Sequence, residues 1–507
     1  MVVPVLTCEG GFGSLVEADV DRLPVQLLFQ LLHLFLGKHV DFRAWAEYKV
    51  WPKIRGNPKS FGGGLMYKCV HPESMEPDQI VLTPDELPKK WYNVVPDIPG
   101  GLPPPKEPGD GESRMEALKK RLVGECLRQE MSTSRWIDIP EEVRELYIHG
   151  GRPRPLYRAR RLEQRLGLKK VRIYYKREDL SPTGSHKVNT AIAQAYYAAR
   201  EGKETLVTET GAGQWGTALT YASSLLGLKT VVFWVRAVYD WKTERKFLMQ
   251  LYGAKVYASP SDQTAFGRKL LEVDPKHPGS LGIAVSEGLE YTDLAGGRVY
   301  CLGSVLNHVL IHQSIIGLEC IRQFEKVDDS PDLVIGCLGG GSNFGGIALP
   351  FMGEVLQKKR ECEFLAAQSE AAPNLVRGEY RYDFGDTAGH TPLMMMYTLG
   401  HETAMTPIKS DGLRYHAAAP IISALRNKGY VRAVAYPSDE ELVFGAAKTF
   451  LETEGWLIAG ESAHAVRAAI DEAEKAESAG EEKCILANIS GHGFLDLDAY
   501  RDKIRLD

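Results

Sequence analysis

From residue 171 onward this 507-residue chain repeats one pattern. A short apolar run ends in a glycine-bearing loop, and a helical stretch follows. The spacing predicts strands at 171–176, 205–210, 230–235, 255–258, 332–337 and 484–489. It predicts helices at 188–200, 212–226 and 242–252. Strands that are apolar along their whole length, alternating with helices, belong to parallel sheets covered on both faces. The expected fold class is therefore α/β. Ligands of such sheets sit beyond the carboxyl ends of the strands. Each glycine-rich loop here follows a strand, so the loops are candidates for one shared site.

The rest of the chain is less regular. Residues 96–111 are rich in proline and glycine and read as an extended connection. Residues 114–131 alternate charged and apolar positions at helical spacing. The apolar run 23–36 is shorter than the roughly 20 residues that a membrane span needs. Glu17, Asp19 and Asp21 precede it, the wrong charge for a signal peptide. Gln26, Gln30 and His33 share one helical stripe, so a buried amphipathic helix fits this run. A cytoplasmic protein without a membrane span is expected. The net charge of −5 gives no general attraction to nucleic acid or anionic lipid. The eight cysteines are scattered without a C-x-x-C pair, so neither a disulfide framework nor a bound metal is expected.

Four segments carry chemistry. In Arg177-Glu178-Asp179-Leu180-Ser181-Pro182-Thr183-Gly184-Ser185-His186-Lys187-Val188-Asn189, a turn at Pro182 and Gly184 delivers Lys187 to the mouth of a helix. The positive end of the helix dipole and the neighbouring His186 disfavour the ammonium there. A neutral amine is the nucleophile an aldehyde cofactor requires. Most lysines are merely solvated, and only the surrounding string argues against that here.

The second segment, Thr208-Glu209-Thr210-Gly211-Ala212-Gly213-Gln214-Trp215-Gly216, contains a literal G-x-G-x-x-G between strand and helix. That spelling also fits a dinucleotide turn, so an NADP-dependent oxidoreductase is a rival reading. Glu209 at the strand end would repel a pyrophosphate, and the ribose-binding acid is missing near Val235. A carboxylate beside free N–H donors instead suggests an acid/base next to a substrate carboxylate. A helix cap or ion pair is the plainer alternative for Glu209.

The third, Gly339-Gly340-Gly341-Ser342-Asn343, lets the backbone approach an anion at a helix N-terminus. It could equally be only a tight turn. The fourth, Asn488-Ile489-Ser490-Gly491, offers a serine hydroxyl that can meet a pyridine nitrogen without protonating it.

Taken together and in order, these strings resemble the beta subunits of tryptophan synthase, within the second structural type of pyridoxal-phosphate enzymes. Glu461-Ser462-Ala463-His464-Ala465 is similar to a further stretch of that family. The resemblance runs from about residue 80 to 507. It implies two three-layer α/β domains with pyridoxal 5'-phosphate in the cleft between them. One domain would comprise 187–312 and include a mobile subdomain; the other would comprise 151–186 with 313–507. Residues 76–150 would be linker and helices, and 1–75 an extension of uncertain role. Lys187 would be joined to the cofactor, and Glu209 would be the acid/base. His186, Asn189, Gly339, Gly340, Gly341, Ser342, Asn343, Glu461 and Ser490 would hold the cofactor. Thr210, Gly211, Ala212 and Gln214 would hold the amino acid. The implied reaction joins indole to the β-carbon of serine or O-phosphoserine. A serine dehydratase or threonine synthase is the alternative within the fold.

Two departures bear on partners. Trp215 stands where the common form of the resembled family has histidine, and Arg414 where it has aspartate. With the longer N-terminus, these features resemble the second, largely archaeal type of the subunit. An arginine fork suits phosphate better than hydroxyl, so O-phosphoserine is an expected donor. The same departures make association with the alpha subunit doubtful. A homodimer is implied, with a monovalent cation left open.

Overall fold

The computed structural model describes residues 78–505 and, in the first part of the chain, Val2–Val3 and Val16–Glu17. The chain divides into two compact units, Met1–Met75 and Glu76–Asp507. In the first, Val2–Val3 and Val16–Glu17 form an antiparallel pair. The apolar run 23–36 lies outside the described residues.

The second unit is built on two sheets. The larger has seven strands, in the order Arg432–Tyr436, Glu363–Ser369, Leu333–Cys337, Lys483–Ile489, Val171–Arg177, Leu156–Arg158 and Gln79–Ile80. The first five run parallel, and the last two add antiparallel steps. The smaller sheet has four parallel strands, in the order Lys255–Ser259, Lys229–Val235, Thr205–Thr210 and Arg298–Tyr300. Leu333–Cys337 is buried along its whole length, as expected of a strand covered on both faces. Helix Gly460–Ala479 covers one face of the large sheet, with Ala463, Val466, Ile470 and Ala473 packed among Ile173, Ile335 and Ile485. Helix Ser342–Leu356 joins the core on the other face. Among the described residues no helix is long and apolar enough to cross a membrane.

The α/β reading and the strand positions agree with the structure to within a residue or two. Residues 114–131 differ. They form two helices, Arg114–Arg121 and Gly124–Glu130, separated by extended Leu122 and Val123. The break has a tertiary cause. Leu122 bridges to Tyr300 in the small sheet. The Glu201 carboxylate then accepts the Gly124 and Glu125 amides at 3.0 and 2.9 Å, capping the second helix.

Strands of both sheets end at one cleft. Thr210, next to Glu209, and Tyr300 close neighbouring strands of the small sheet, while Cys337 and Ile489 close strands of the large one. An antiparallel ribbon, Glu379–Asp383 with Met394–Thr398, carries the loop that forms a further wall.

Candidate active site

The lysine loop is moulded against a glycine loop. Gly184 has φ +69° and packs so close to the His492 ring that a Cβ would lie 2.0 Å from it. Only glycine suits that position. The His186 amide donates to Ser490 O at 2.9 Å, and the His492 amide to Gly184 O at 3.0 Å. The exit of strand Lys483–Ile489 is thereby sewn to the turn that presents Lys187. Lys187 is the N-cap of helix Val188–Arg200, and its Nζ donates to Gly303 O at 2.5 Å and to Ser342 Oγ at 2.7 Å.

The ammonium is disfavoured as the sequence suggests, with a different leading cause. Burial brings the Lys187 pKa from 10.5 down to about 8, against the attraction of Glu209, Cys337 and Glu461. His186 is itself held well below its usual range, mainly by burial, so it acts as a neutral neighbour. Its Nε2 lies 3.0 Å from Ser342 Oγ.

Across the cavity, burial raises Glu209 to about 7, opposed by hydrogen bonding from Tyr300 and by the Lys187 charge. The Tyr300 hydroxyl donates to Glu209 Oε2. An acid near 7 and an amine near 8 can exchange protons with substrate at little cost at neutral pH. Both line one cavity of about 150 Å³.

Two helix N-termini open into this cavity. Helix Gln214–Leu225 and helix Ser342–Leu356 both lack side-chain caps. Among the described residues, the amides of Gly211–Gln214 and of Gly339–Asn343 have no protein acceptor. Orphan amides at a helix start are an anion site. The chain offers two: one beside Glu209, the other beside Lys187 and His186. Ser490, also lining the cavity, has its hydroxyl 3.0 Å from Ser462 Oγ and 3.6 Å from Cys337 Sγ. A nucleophilic lysine, a phosphate-sized amide cradle and a neutral hydroxyl partner fit pyridoxal phosphate.

Most residues singled out from sequence line this cavity: His186, Lys187, Glu209, Thr210, Gly211, Ala212, Gln214, Gly339 to Asn343, Glu461 and Ser490. Two do not. Asn189 is tied instead to Arg152, Glu178 and Gln313 in a buried polar network. Arg414 pairs with Asp411 at 3.2 Å and donates to Met405 O at 3.1 Å. The Asn343 amide bonds Cys337 O and Asn488 within the fold, leaving its backbone N–H for a ligand. Glu461 accepts the Gly412 amide at 2.9 Å, and burial raises its pKa.

Comparison with known proteins decides the family. The profile of the pyridoxal-phosphate dependent enzymes matches residues 148–491. "Tryptophan synthase beta chain 2" of Thermococcus kodakarensis is 54% identical over 423 residues, covering 83% of this chain and 95% of that one. Its namesake in Methanothermobacter thermautotrophicus is 52% identical over 425 residues, covering 84% and 98%. The chain belongs to the tryptophan synthase beta chain family. A solved fungal L-serine ammonia-lyase from Rhizomucor miehei shares the fold alone. Its TM-score is 0.51 at 16% identity, covering 69% of this chain and 98% of that chain.

For this tryptophan synthase beta chain relative, several wall residues escaped the sequence reading: Tyr300, Gly303, Ser304, Cys337, Asp411 and Tyr415. Cys337 and Tyr300 end strands, which is the only local signal they carry. The glycine cradle is tightly built. A Cβ on Gly339 would lie 2.3 Å from Gly412 O, and one on Gly340 2.5 Å from Ser304 Oγ. Gly339→Ala is expected to weaken pyridoxal-phosphate binding at least about tenfold and to cost about 1–3 kcal/mol of stability through overpacking. Equilibrium dialysis and chemical denaturation check the two effects.

Proposed function

We propose that this chain joins indole to the β-carbon of serine, releasing water and giving tryptophan. The observation that carries the reading is the meeting of Lys187, Glu209 and two amide cradles in one largely apolar cavity. Bound pyridoxal phosphate supplies a reactive aldehyde and a conjugated ring that draws electrons from the amino acid. The amides of Gly339–Asn343 hold its phosphate, and Ser490 provides a hydroxyl for the ring nitrogen. That neutral partner keeps the ring a modest electron sink, which favours loss of the β-substituent.

The chain's own groups do the rest. The amides of Gly211–Gln214 hold the substrate carboxylate. Lys187 removes and returns the proton at Cα. Glu209 gives a proton to the departing hydroxyl oxygen and then accepts one as indole attacks. Leu118, Leu281, Val285, Leu289, Leu302 and Met394 present an apolar wall for the indole ring and exclude water.

The choice of donor follows from charge. Lys242, Arg245 and Arg414 lie among Asp411, Asp496 and Glu461. The three cations are matched by three acids, and Arg414 is occupied by Asp411. Among the described residues no arginine fork at this wall remains for a second phosphate, which favours serine over O-phosphoserine. The expected kcat/KM with serine exceeds that with O-phosphoserine at equal indole, and the reverse order would reject this choice.

Family membership supports a homodimer. The departures at Trp215 and Arg414 support the use of free indole. Sedimentation with and without an alpha subunit reads both. The reaction is tested by adding serine and indole to the reconstituted protein and following tryptophan by chromatography. Pyruvate and ammonia as the only products would point to a serine dehydratase.

A further inference from the structure

We infer that Tyr300 is the positioning residue for Glu209: its hydroxyl holds one carboxylate oxygen and leaves the other for the substrate. The inference rests on the reading of Glu209 as the acid/base. Three observations carry it.

The first is the hydrogen-bond pattern. Glu209 Oε2 accepts from Tyr300, and only weakly, at 3.5 Å, from Thr208. Thr208 is committed elsewhere, since its Oγ1 donates to Cys301 O at 2.5 Å and accepts Trp215 Nε1 at 2.6 Å. No other side chain among the described residues donates to the carboxylate. Among the described residues the Tyr300 hydroxyl has no other hydrogen-bond partner.

The second is the fixing of the ring. Tyr300 is buried at the end of strand Arg298–Tyr300 and paired in register with Val207. Helix Leu281–Asp293 presses on it through Gly288, where a Cβ would lie 2.8 Å from the ring. The backbone of Leu122 bridges to Tyr300 from a third direction. A ring held from three directions aims its hydroxyl at one place.

The third is the electrostatic setting. The groups that face Glu209 are Lys187 from the lysine loop, Thr208 on its own strand, Tyr300 at the end of the neighbouring strand and Cys301 just beyond it. Tyr415 faces it from the far wall, and Asp386 acts on both tyrosines. Burial and the Glu209 charge push the Tyr300 phenol well above its usual range, so it stays a neutral donor. The Tyr300 hydrogen bond is the largest of the influences that favour the ionised carboxylate, ahead of the Glu209 backbone amide, the Lys187 charge and the long Thr208 contact.

The test is Tyr300→Phe, which deletes one oxygen and keeps the ring. The Glu209 carboxyl is titrated by difference infrared spectroscopy, its band identified by its absence in Glu209→Gln. The midpoint is expected to rise by about one to two pH units, as loss of a hydrogen bond to a charged group implies. The limb of the pH–kcat profile that Glu209→Gln removes should move with it, while KM for serine stays within about twofold. A tyrosine fluorinated beside its hydroxyl, incorporated at 300, donates more strongly and should move the midpoint down. This second substitution tests the same idea if Tyr300→Phe folds poorly. An unmoved midpoint in both variants overturns the inference. If Glu209→Gln itself keeps full turnover, the acid/base reading fails instead, and the infrared shift still reports on the Tyr300 contact.

Discussion

A Lys187→Ala variant is expected to lose tryptophan formation by roughly 10³-fold or more, because one side chain supplies both the nucleophile and a proton carrier. The reconstituted variant should also lack the visible absorption of a lysine-bound cofactor. Pyridoxal phosphate itself should still be retained, since the Gly339–Asn343 amides remain. A pH experiment on cofactor-free protein adds an independent check. Lys187 falls from 10.5 in the open chain to about 8 in the fold. Between those values the unfolded chain binds more protons than the folded one, so stability rises with pH. Below pH 8 both states are protonated and the full burial penalty applies. The parent should therefore gain stability relative to Lys187→Ala as pH climbs from about 8 to 10, read by thermal denaturation. Parallel curves would mean that the amine is not buried as the structure shows.

The second large effect is expected at Glu209. Glu209→Gln keeps the shape and removes the exchangeable proton, so kcat should fall about 10²- to 10⁴-fold. The cofactor band and the affinity for serine should persist, because the carboxylate cradle is backbone. That split between kcat and KM separates a chemical role from a structural one. The linkage has the opposite sign to that of Lys187. Burial lifts Glu209 from 4.5 to about 7, so the folded state binds the extra proton in that window. Stability is fully present below pH 4.5 and is eroded as pH rises through 7. Glu209→Gln should lack this erosion, and a denaturation series from pH 5 to 8 would show it.

Much of this site was legible because its parts are local. Lys187 stands where a proline–glycine turn meets an alanine-rich helix, and the structure begins that helix at Val188. The Gly339–Asn343 cradle follows a wholly apolar strand, and its helix starts at Ser342. Periodicity and glycine placement suffice for such features. Tyr300 was not legible. It ends a three-residue strand and reaches a glutamate 91 positions away. Nothing in its neighbourhood announces that the two strands lie side by side. Arg414 shows the converse. Its residue type pointed to phosphate, but its guanidinium is spent on Asp411 three positions earlier. A charge read from sequence says nothing of the partner that will neutralise it. The break at Leu122 and Val123 has the same origin, since the carboxylate that caps the next helix belongs to Glu201.

The two amide cradles belong to different sheets, one beyond Leu333–Cys337 and the other beyond Thr205–Thr210. A ligand anchored at both ends is thus a strut between halves of the scaffold. Each product released removes the strut, and each new amino acid reinstates it. The mechanical stiffness of the whole body is then a reporter of turnover. Hydrogen exchange at helix Gln214–Leu225, far slower with substrate than with cofactor alone, would be its signature.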